Sequence, residues 1–366
     1  MSIRKHMSHF RVIEHTVRAH HIRERLGAVK PGHENELRLA VKQYVPLDNP
    51  NPKYGDVTLI GAQANGFPKE LYEPLWDDMY ERLRSHNRRI RSIWIADVVQ
   101  QGQSGILNEG ILGDDPNWHD HARDLFSMIT QFRDEIPQPI VGIGHSMGGM
   151  QLAHLSLMHP SLFSALTGPM VVSRGSLLEK WTQYGLRELP TPLYPITDQN
   201  GPGAVTLTKT KAQELFFYAR PSYIDERSGL RRGDPKEDMH PDDIDVDSPF
   251  YHPEPALMSR RLPGLKPPSL YFFGGKSELS SPEARREKME AGAVKEIVLP
   301  AGHLVPMELV KESAHATGDF IHSRLSQWEE RLKRYQDAWR AVPQEERVRV
   351  DKQWEKHVAV SRRPKL

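Results

Sequence analysis

The feature that most constrains this chain is a glycine-rich turn, residues 144–149, which directly follows the apolar run of residues 139–143. The turn reads Gly-His-Ser-Met-Gly-Gly, and apolar residues at helical spacing follow it as far as residue 159. A strand that bends sharply into a helix needs small residues at the bend and exposes the residue at the corner. The sequence therefore predicts a strand, a tight turn and a helix, with the hydroxyl of Ser146 presented at the corner as a nucleophile.

Strands and helices of similar length alternate on both sides of this turn. The two earliest predicted strands suggest an amino-terminal β-meander, and the later alternation is typical of parallel βαβ units. The fold class predicted is α/β, with a mostly parallel central sheet flanked by helices. The predicted strands are residues 12–17, 37–45, 57–61, 90–96, 139–143, 162–172, 269–273 and 296–300, and further helices are predicted at residues 71–83, 118–136, 212–219 and 308–341.

A long segment rich in proline and charge, residues 173–266, interrupts the pattern. It is too long for a loop in a compact domain, so we expect a cap inserted over the sheet, with a disordered linker as the alternative. Its aromatic patches favour the cap, because a linker has little use for aromatic side chains. The predicted organisation is a core of residues 1–172 and 267–325, this cap, and a helical extension with a tail at residues 326–366.

Composition excludes several classes of function. Lys and Arg total 49 against 48 Asp and Glu, so no basic field is available for nucleic-acid binding. The absence of cysteine excludes disulfides, thiolate metal sites and a cysteine nucleophile. No apolar run reaches membrane-spanning length, and the amino terminus lacks the apolar core of a secretion signal. We expect a protein that acts on a small molecule without a cofactor, metal or membrane span; a homo-oligomer is open.

A serine hydroxyl is a poor nucleophile unless a base lies beside it. His303 follows the last predicted strand in a loop that opens the final helix, which places its imidazole at the strand ends, facing Ser146. Glu278 follows the penultimate strand and is the candidate acid that orients His303, although it also fits an ordinary exposed turn. His119 and His121 lie near a helix start and could suggest metal binding, but we do not expect a metal site there without a third ligand nearby in the fold.

A tetrahedral oxyanion requires two positioned N–H donors. The first candidate is the amide of Met147, directly after the serine, and the second is the amide of Phe67, in the loop after the third strand. Gly66 lets the backbone of that loop approach a reacting carbonyl. Asp97, which ends the next strand, is interpreted as a structural turn carboxylate.

With these residues the chain resembles the α/β-hydrolase superfamily over most of residues 10–172 and 267–325. Within that superfamily it looks most like fungal peroxisomal acyl-CoA hydrolases of secondary metabolism, the mycophenolic-acid-pathway and host-selective-toxin hydrolase group. In that group the acid can lie just after the strand that follows the serine's helix, yet residues 167–173 contain no carboxylate. Either Glu278 supplies the acid, or the triad is incomplete.

The last three residues, Pro364, Lys365 and Leu366, resemble the S-K-L class of address read by the peroxisomal import receptor, with an accidental match and a cytoplasmic protein as the alternative. Peroxisomal side-chain shortening yields CoA esters, so the leading hypothesis is an acyl-CoA thioesterase with a Ser-His-Glu triad. A carboxylesterase or lactonase acting on an oxygen ester uses the same acyl chemistry and remains open. A noncatalytic ligand-binding member of the fold is the third alternative.

Overall fold

The computed structural model describes residues 9–168, 184–188, 191, 204–208, 211–217, 220, 252–277, 280–290, 295–350 and 352–361. Glu278, most of the predicted cap and the last three residues lie outside this part of the chain. The chain divides into two compact units, Met1–Arg324 and Leu325–Leu366.

An eight-stranded sheet forms the centre of the first unit, in the order β1-β2-β4-β3-β5-β6-β9-β10. β1 pairs antiparallel with β2 and β2 antiparallel with β4, whereas every other pair in this sheet is parallel. The prediction of an α/β fold with a mostly parallel sheet is confirmed. The strands are β1 Phe10–Arg18, β2 Arg38–Pro46, β3 Val57–Ala62, β4 Ile90–Ala96, β5 Ile140–Gly144, β6 Ala165–Thr167, β9 Ser269–Gly274 and β10 Lys295–Leu299, with a separate antiparallel pair of β7 Leu186–Glu188 and β8 Val205–Leu207.

The two earliest predicted strands pair antiparallel as β1 and β2, and β4 rather than β3 lies on the other side of β2. One strand prediction needs correction. The strand predicted at residues 162–172 is observed only at Ala165–Thr167, since Leu162 belongs to the turn that ends the preceding helix and donates its N–H to the carbonyl of His159 at 3.0 Å. Residues 169–172 of that prediction lie outside the described residues.

Helices connect most of the strands of the sheet. The final helix predicted at residues 308–341 is observed as Val310–Ala341, and a separate short helix, Val305–Glu308, precedes it because Leu309 leaves the helical conformation with φ −135° and ψ 66°. Within the described residues, no helix combines the length and apolarity that a membrane crossing requires. The helices are α1 Glu73–Ser85, α2 Gly102–Asn108, α3 Asp120–Gln131, α4 Met147–Met158, α5 Lys211–Leu215, α6 Pro253–Arg261, α7 Pro282–Glu290, α8 Val305–Glu308, α9 Val310–Ala341 and α10 Lys352–Ser361.

Side chains of β3 show how the layers form. Successive residues of a strand point to opposite faces of the sheet. Ile60 joins a buried apolar cluster with Leu125 of α3 and Leu152 of α4. Gly61 faces the other way, and a Cβ there would lie 3.1 Å from the ring of Trp76 of α1. Helices therefore cover both faces, and the loops that follow the parallel strands meet at one edge of the sheet.

Candidate active site

The turn between β5 and α4 holds Ser146 in a conformation that an L-residue rarely adopts, φ 50° and ψ −117°. Two glycines make the turn possible. A Cβ on Gly148 would lie 2.2 Å from the carbonyl oxygen of Ala62, and a Cβ on Gly144 would lie 2.4 Å from the Cα of Gly149. Both distances are far below van der Waals contact, so the sharp turn predicted from the sequence depends on these glycines.

His303 lies between β10 and α8, and its Nε2 is 3.3 Å from Oγ of Ser146. This distance is longer than a typical hydrogen bond to a hydroxyl, as is common in sites without substrate. Burial, with a smaller contribution from the positive charge of Lys288, lowers the pKa of His303. The imidazole is therefore neutral at neutral pH, and Nε2 accepts the serine proton when Nδ1 carries the ring proton.

The loop after β9 lies directly against the loop that carries His303. The carboxyl ends of the two strands are level, since Gly274 pairs with Leu299. The N–H of Lys276 donates to the carbonyl of Ala301 at 2.9 Å, and a Cβ on Gly274 would lie 1.8 Å from the carbonyl oxygen of Gly302. The described residues just before Glu278 therefore lie beside the His303 loop. Glu278 itself lies outside the described residues.

A second histidine, His145, also lies beside Ser146 but is held in a different way. The hydroxyl of Tyr72 accepts the N–H of Ala64 at 2.9 Å and shares a hydrogen bond with Nδ1 of His145, 2.8 Å away. Burial and the nearby His303 lower the pKa of His145 to about 3. This ring is neutral and fixed, and it ties the loop after β3 to the serine turn. No spacing in the sequence pointed to Tyr72, since only the fold brings it to His145.

The two predicted oxyanion donors have different surroundings. Met147 is the first residue of α4, where N–H groups lack an intrahelical acceptor, and its N–H makes no backbone hydrogen bond among the described residues. The N–H of Phe67 donates to the carbonyl of Ala64 at 3.2 Å, within a turn that Gly66 allows by adopting φ 82°. A bond of this length is weak, and the same turn is bonded to Tyr72 through the N–H of Ala64.

Beneath this turn lies a buried group of charged side chains. Asp97 is 0% exposed, and its carboxylate accepts hydrogen bonds from Nζ of Lys69 at 2.6 Å, the N–H of Lys69 at 3.2 Å and the N–H of Gln103 at 2.9 Å. Burial opposes the charge on Lys69, but Asp97 and Glu70 outweigh burial and raise its pKa. These contacts agree with the interpretation of Asp97 as a structural carboxylate.

A described part of the predicted cap region lies over the start of α4. Phe217 is wholly buried and packs with Val98 and Met147, and Nε1 of Trp118 donates to its carbonyl at 3.0 Å. An apolar surface therefore adjoins the residue next to Ser146.

The two histidines considered as metal ligands are buried in separate environments. His119 stacks on His154 with ring centroids 4.0 Å apart, and burial lowers its pKa to about 4. In the part of the chain that the structure describes, no group of three or more His, Asp or Glu side chains is arranged to hold a metal ion.

Known proteins similar to this chain agree with the fold. The family model described as "Alpha/beta hydrolase family" matches residues 56–318. "Type I acyl-CoA thioesterase mpaH'" of Penicillium brevicompactum is 34% identical over 375 residues, covering 83% of this chain and 86% of that protein. "Abhydrolase domain-containing protein AFT2-1" of Alternaria alternata is 31% identical over 235 residues, covering 50% and 83%.

Among solved structures, "Peroxisomal alpha-beta-hydrolase Lpx1" from Saccharomyces cerevisiae is similar with a TM-score of 0.63 and 17% identity, covering 94% of this chain and 100% of that chain. At this identity the likeness concerns the fold. The family model covers more than half of the sequence, and the Penicillium relative exceeds 30% identity over most of both chains. The chain therefore belongs to the α/β hydrolase family and is a hydrolase.

Proposed function

We propose that this protein hydrolyses an acyl thioester, with acyl-CoA as its substrate class, through Ser146, His303 and Glu278. The observation that carries the proposal is the approach of Ser146 Oγ to within 3.3 Å of His303 Nε2, at the start of α4. The thioester is favoured over an oxygen ester because a relative that aligns with 83% of this chain is named a type I acyl-CoA thioesterase.

In the first half-reaction Oγ of Ser146 attacks the thioester carbonyl as its proton passes to Nε2 of His303. The resulting oxyanion is stabilised by the N–H of Met147, at the positive end of α4, and by the N–H of Phe67, which exchanges its long bond to Ala64 for a stronger charged acceptor. His303 then protonates the sulfur, CoA leaves as a thiol, and Ser146 is acylated.

In the second half-reaction water attacks the acyl-serine. His303 takes a proton from this water, the same two N–H groups stabilise the second oxyanion, and the acid leaves as Ser146 regains its proton from His303. His145 takes no part in these transfers, because its Nδ1 is occupied by Tyr72 and burial lowers its pKa to about 3.

Glu278 is assigned to Nδ1 of His303 because the residues just before it are bonded to the His303 loop through Lys276 and Ala301. In this role its carboxylate selects the tautomer with the proton on Nδ1 and stabilises the imidazolium formed during the reaction. We also assign residues 173–266 to a cap, because a described part of this segment lies over the start of α4. Phe217, buried against Met147, supplies an apolar wall beside the acylated serine.

A peroxisomal location is part of the proposal, as is a role in secondary metabolism. One relative, of Saccharomyces cerevisiae, is named "Peroxisomal membrane protein LPX1" and is 31% identical over 126 residues, covering 33% of each chain. This name supports the proposed location.

The test is a CoA-release assay on medium and long acyl-CoAs, run beside simple aryl esters. The chain contains no cysteine, so a thiol reagent reports released CoA and no protein thiol. Ser146→Ala is expected to lower kcat by at least about 10³-fold, whereas Ser127→Ala, a serine on α3, leaves it unchanged. Mass spectrometry of rapidly quenched wild-type enzyme should find the acyl group on Ser146.

Two outcomes contradict the proposal in different ways. Turnover of aryl esters without release of CoA would exclude the thioesterase activity and leave an esterase. Equal rates for wild type and Ser146→Ala would exclude Ser146 as the nucleophile.

A further inference from the structure

A buried glutamine, Gln101, holds the loop that carries the proposed oxyanion donor Phe67. The side chain of Gln101 is 1% exposed and lies one residue before α2. Its Oε1 accepts the N–H of Gly66 at 2.8 Å, and its Nε2 donates to Oδ1 of Asn65. A carboxamide suits this position because it offers a donor and an acceptor in one plane.

The direction of these bonds follows from the chemistry of the groups. A backbone N–H can only donate, so Gly66 requires Oε1 of Gln101 to face it. Nε2 of Gln101 must then face Asn65, whose Oδ1 accepts and whose Nδ2 donates to the carbonyl of Glu214 in α5 at 3.3 Å. A single orientation of the Gln101 and Asn65 side-chain amides therefore satisfies every hydrogen bond from Gly66 through to α5.

Gln101 is itself held in place by the backbone. Its N–H donates to the carbonyl of Val98 at 2.9 Å, and its carbonyl accepts the N–H of Gly105 at 2.8 Å. The buried carboxylate of Asp97 binds the N–H of Gln103, just after Gln101, and the N–H of Lys69, just after the loop. Side chains whose own positions are fixed in this way can hold a catalytic group within the small tolerance that catalysis needs.

The geometry points to Gln101 as a positioning residue that holds Asn65 and Gly66 so that the N–H of Phe67 is directed at the substrate oxyanion, with Asn65 extending this support to α5. Because Gln101 occupies the N–H of Gly66, this N–H is not the donor to the oxyanion. The inference rests on the proposed hydrolytic function, since an oxyanion forms only during acyl transfer.

The test compares Gln101→Met, which keeps the length of the side chain and removes both hydrogen bonds, with Gln103→Met, the same change at an exposed position two residues away. Gln101→Met is expected to lower kcat by about tenfold to a hundredfold while KM changes less than about threefold, since the oxyanion forms only in the reaction. Gln103→Met should keep wild-type kcat.

A boronic acid supplies a readout that a purely structural role would not change. It forms a tetrahedral adduct with an active-site serine and places an oxygen where the oxyanion develops. Its inhibition constant should rise in Gln101→Met in proportion to the loss of kcat. If kcat and the inhibition constant of Gln101→Met both stay within about twofold of wild type, the positioning role is excluded. It is also excluded if KM rises as much as kcat falls.

A second variant keeps the inference testable should Gln101→Met fail to fold. Gln101→Glu retains an acceptor for Gly66 and loses the donor to Asn65, so its kcat should fall less than that of Gln101→Met but remain below wild type. The losses of Gln101→Glu and Asn65→Ala should also fail to add in the double variant, because both remove the same bond. Wild-type kcat in Gln101→Glu, or full additivity, overturns the inference.

Failure of this inference is distinct from failure of the proposed function. If the wild type hydrolyses neither thioesters nor aryl esters, the proposed function is overturned and the inference with it. If the wild type turns over substrate and the Gln101 variants match it, the inference alone is overturned.

Discussion

The two sides of Ser146 are held by different kinds of contact. On the side of β3 and β4, the buried carboxylate of Asp97 binds Lys69 and backbone N–H groups, and the buried side chain of Gln101 binds Gly66 and Asn65. On the side of β9 and β10, the loops meet mainly through backbone hydrogen bonds and glycines, and the ring of His303 is partly buried but keeps access to solvent.

The buried contacts on one side and the more open contacts on the other suit two different requirements of acyl transfer. An oxyanion donor must be fixed before the reaction, and buried polar groups with satisfied hydrogen bonds provide this rigidity. A base must exchange protons with water and product, which requires access to solvent. Changes on the β3–β4 side should therefore cost stability and kcat together, whereas changes on the β9–β10 side should alter the rate and its pH dependence with the fold retained.

The largest effect is expected at the proposed acid of the β9–β10 side. Glu278→Gln should lower kcat by about 10³- to 10⁴-fold with an unchanged melting temperature, because His303 loses the carboxylate that fixes its tautomer and stabilises its cation. The measurement is CoA release by the purified variant, with thermal unfolding as the check on folding.

Glu308→Gln is the matched control for Glu278. Glu308 is exposed near the same loop and accepts the N–H of Gly302 with both carboxylate oxygens at 3.0 Å, a bond that glutamine can partly keep. Its kcat should stay within about tenfold of wild type. A near-normal rate for Glu278→Gln together with a large loss for Glu308→Gln would assign the acid to Glu308.

The next effect tests the buried side. Asp97→Asn removes one of the two carboxylates that face Lys69 in the interior, the other being Glu70, and this change should lower the free energy of unfolding by up to about 3–5 kcal/mol. Denaturant unfolding measures this loss. The control is Asp319→Asn, which removes the charge of an exposed pair with Arg82 and should change the unfolding midpoint far less. Equal losses of unfolding free energy in Asp97→Asn and Asp319→Asn would contradict the expected difference between the buried and the exposed ion pair.

The smallest effect concerns pH. His303 acts as a base only when neutral, so kcat/KM rises as the pH increases through its pKa in the free enzyme. Burial and the positive charge of Lys288 lower that pKa. Lys288→Gln removes the charge, which raises the pKa of His303 and moves the acid limb of the profile to higher pH with an unchanged plateau.

Lys295→Gln is the control for this shift, since it makes the same charge change at an exposed position of β10. Its profile should overlay that of the wild type. A shift of the Lys288→Gln limb to lower pH, or equal shifts in both variants, would exclude Lys288 as the source of the effect.

Much of the fold was predictable from periodicity. Strands at residues 57–61 and 90–96 were placed to within a residue, because buried apolar runs between turn signals leave few alternatives. The errors have physical causes. The strand predicted from residue 162 begins only at Ala165, because Leu162 is held in the turn after α4 by its bond to His159. The order of the strands in the sheet carried no local signal, because it depends on which strand edges pair in three dimensions.

The candidate site also contains residues that the sequence indicated and residues that only the fold brought together. Ser146 and His303 follow from local patterns at strand ends, and the structure brings them to 3.3 Å. Glu278 remains a prediction. Gln101 and Tyr72 carried no signal in the sequence, since their partners lie 35 and 73 residues away along the chain.

By itself the sequence determined the sharp turn at Ser146, because the steric demand for glycine at Gly144 and Gly148 is expressed within a few residues of the bend. Tertiary structure alone decided how the two histidines beside Ser146 are held. His145 and His303 are chemically alike, but only His145 is buried against the hydroxyl of Tyr72, whereas Nε2 of His303 reaches Ser146. Burial and hydrogen-bond partners that set a pKa come from residues distant in the chain, so a local pattern does not encode them.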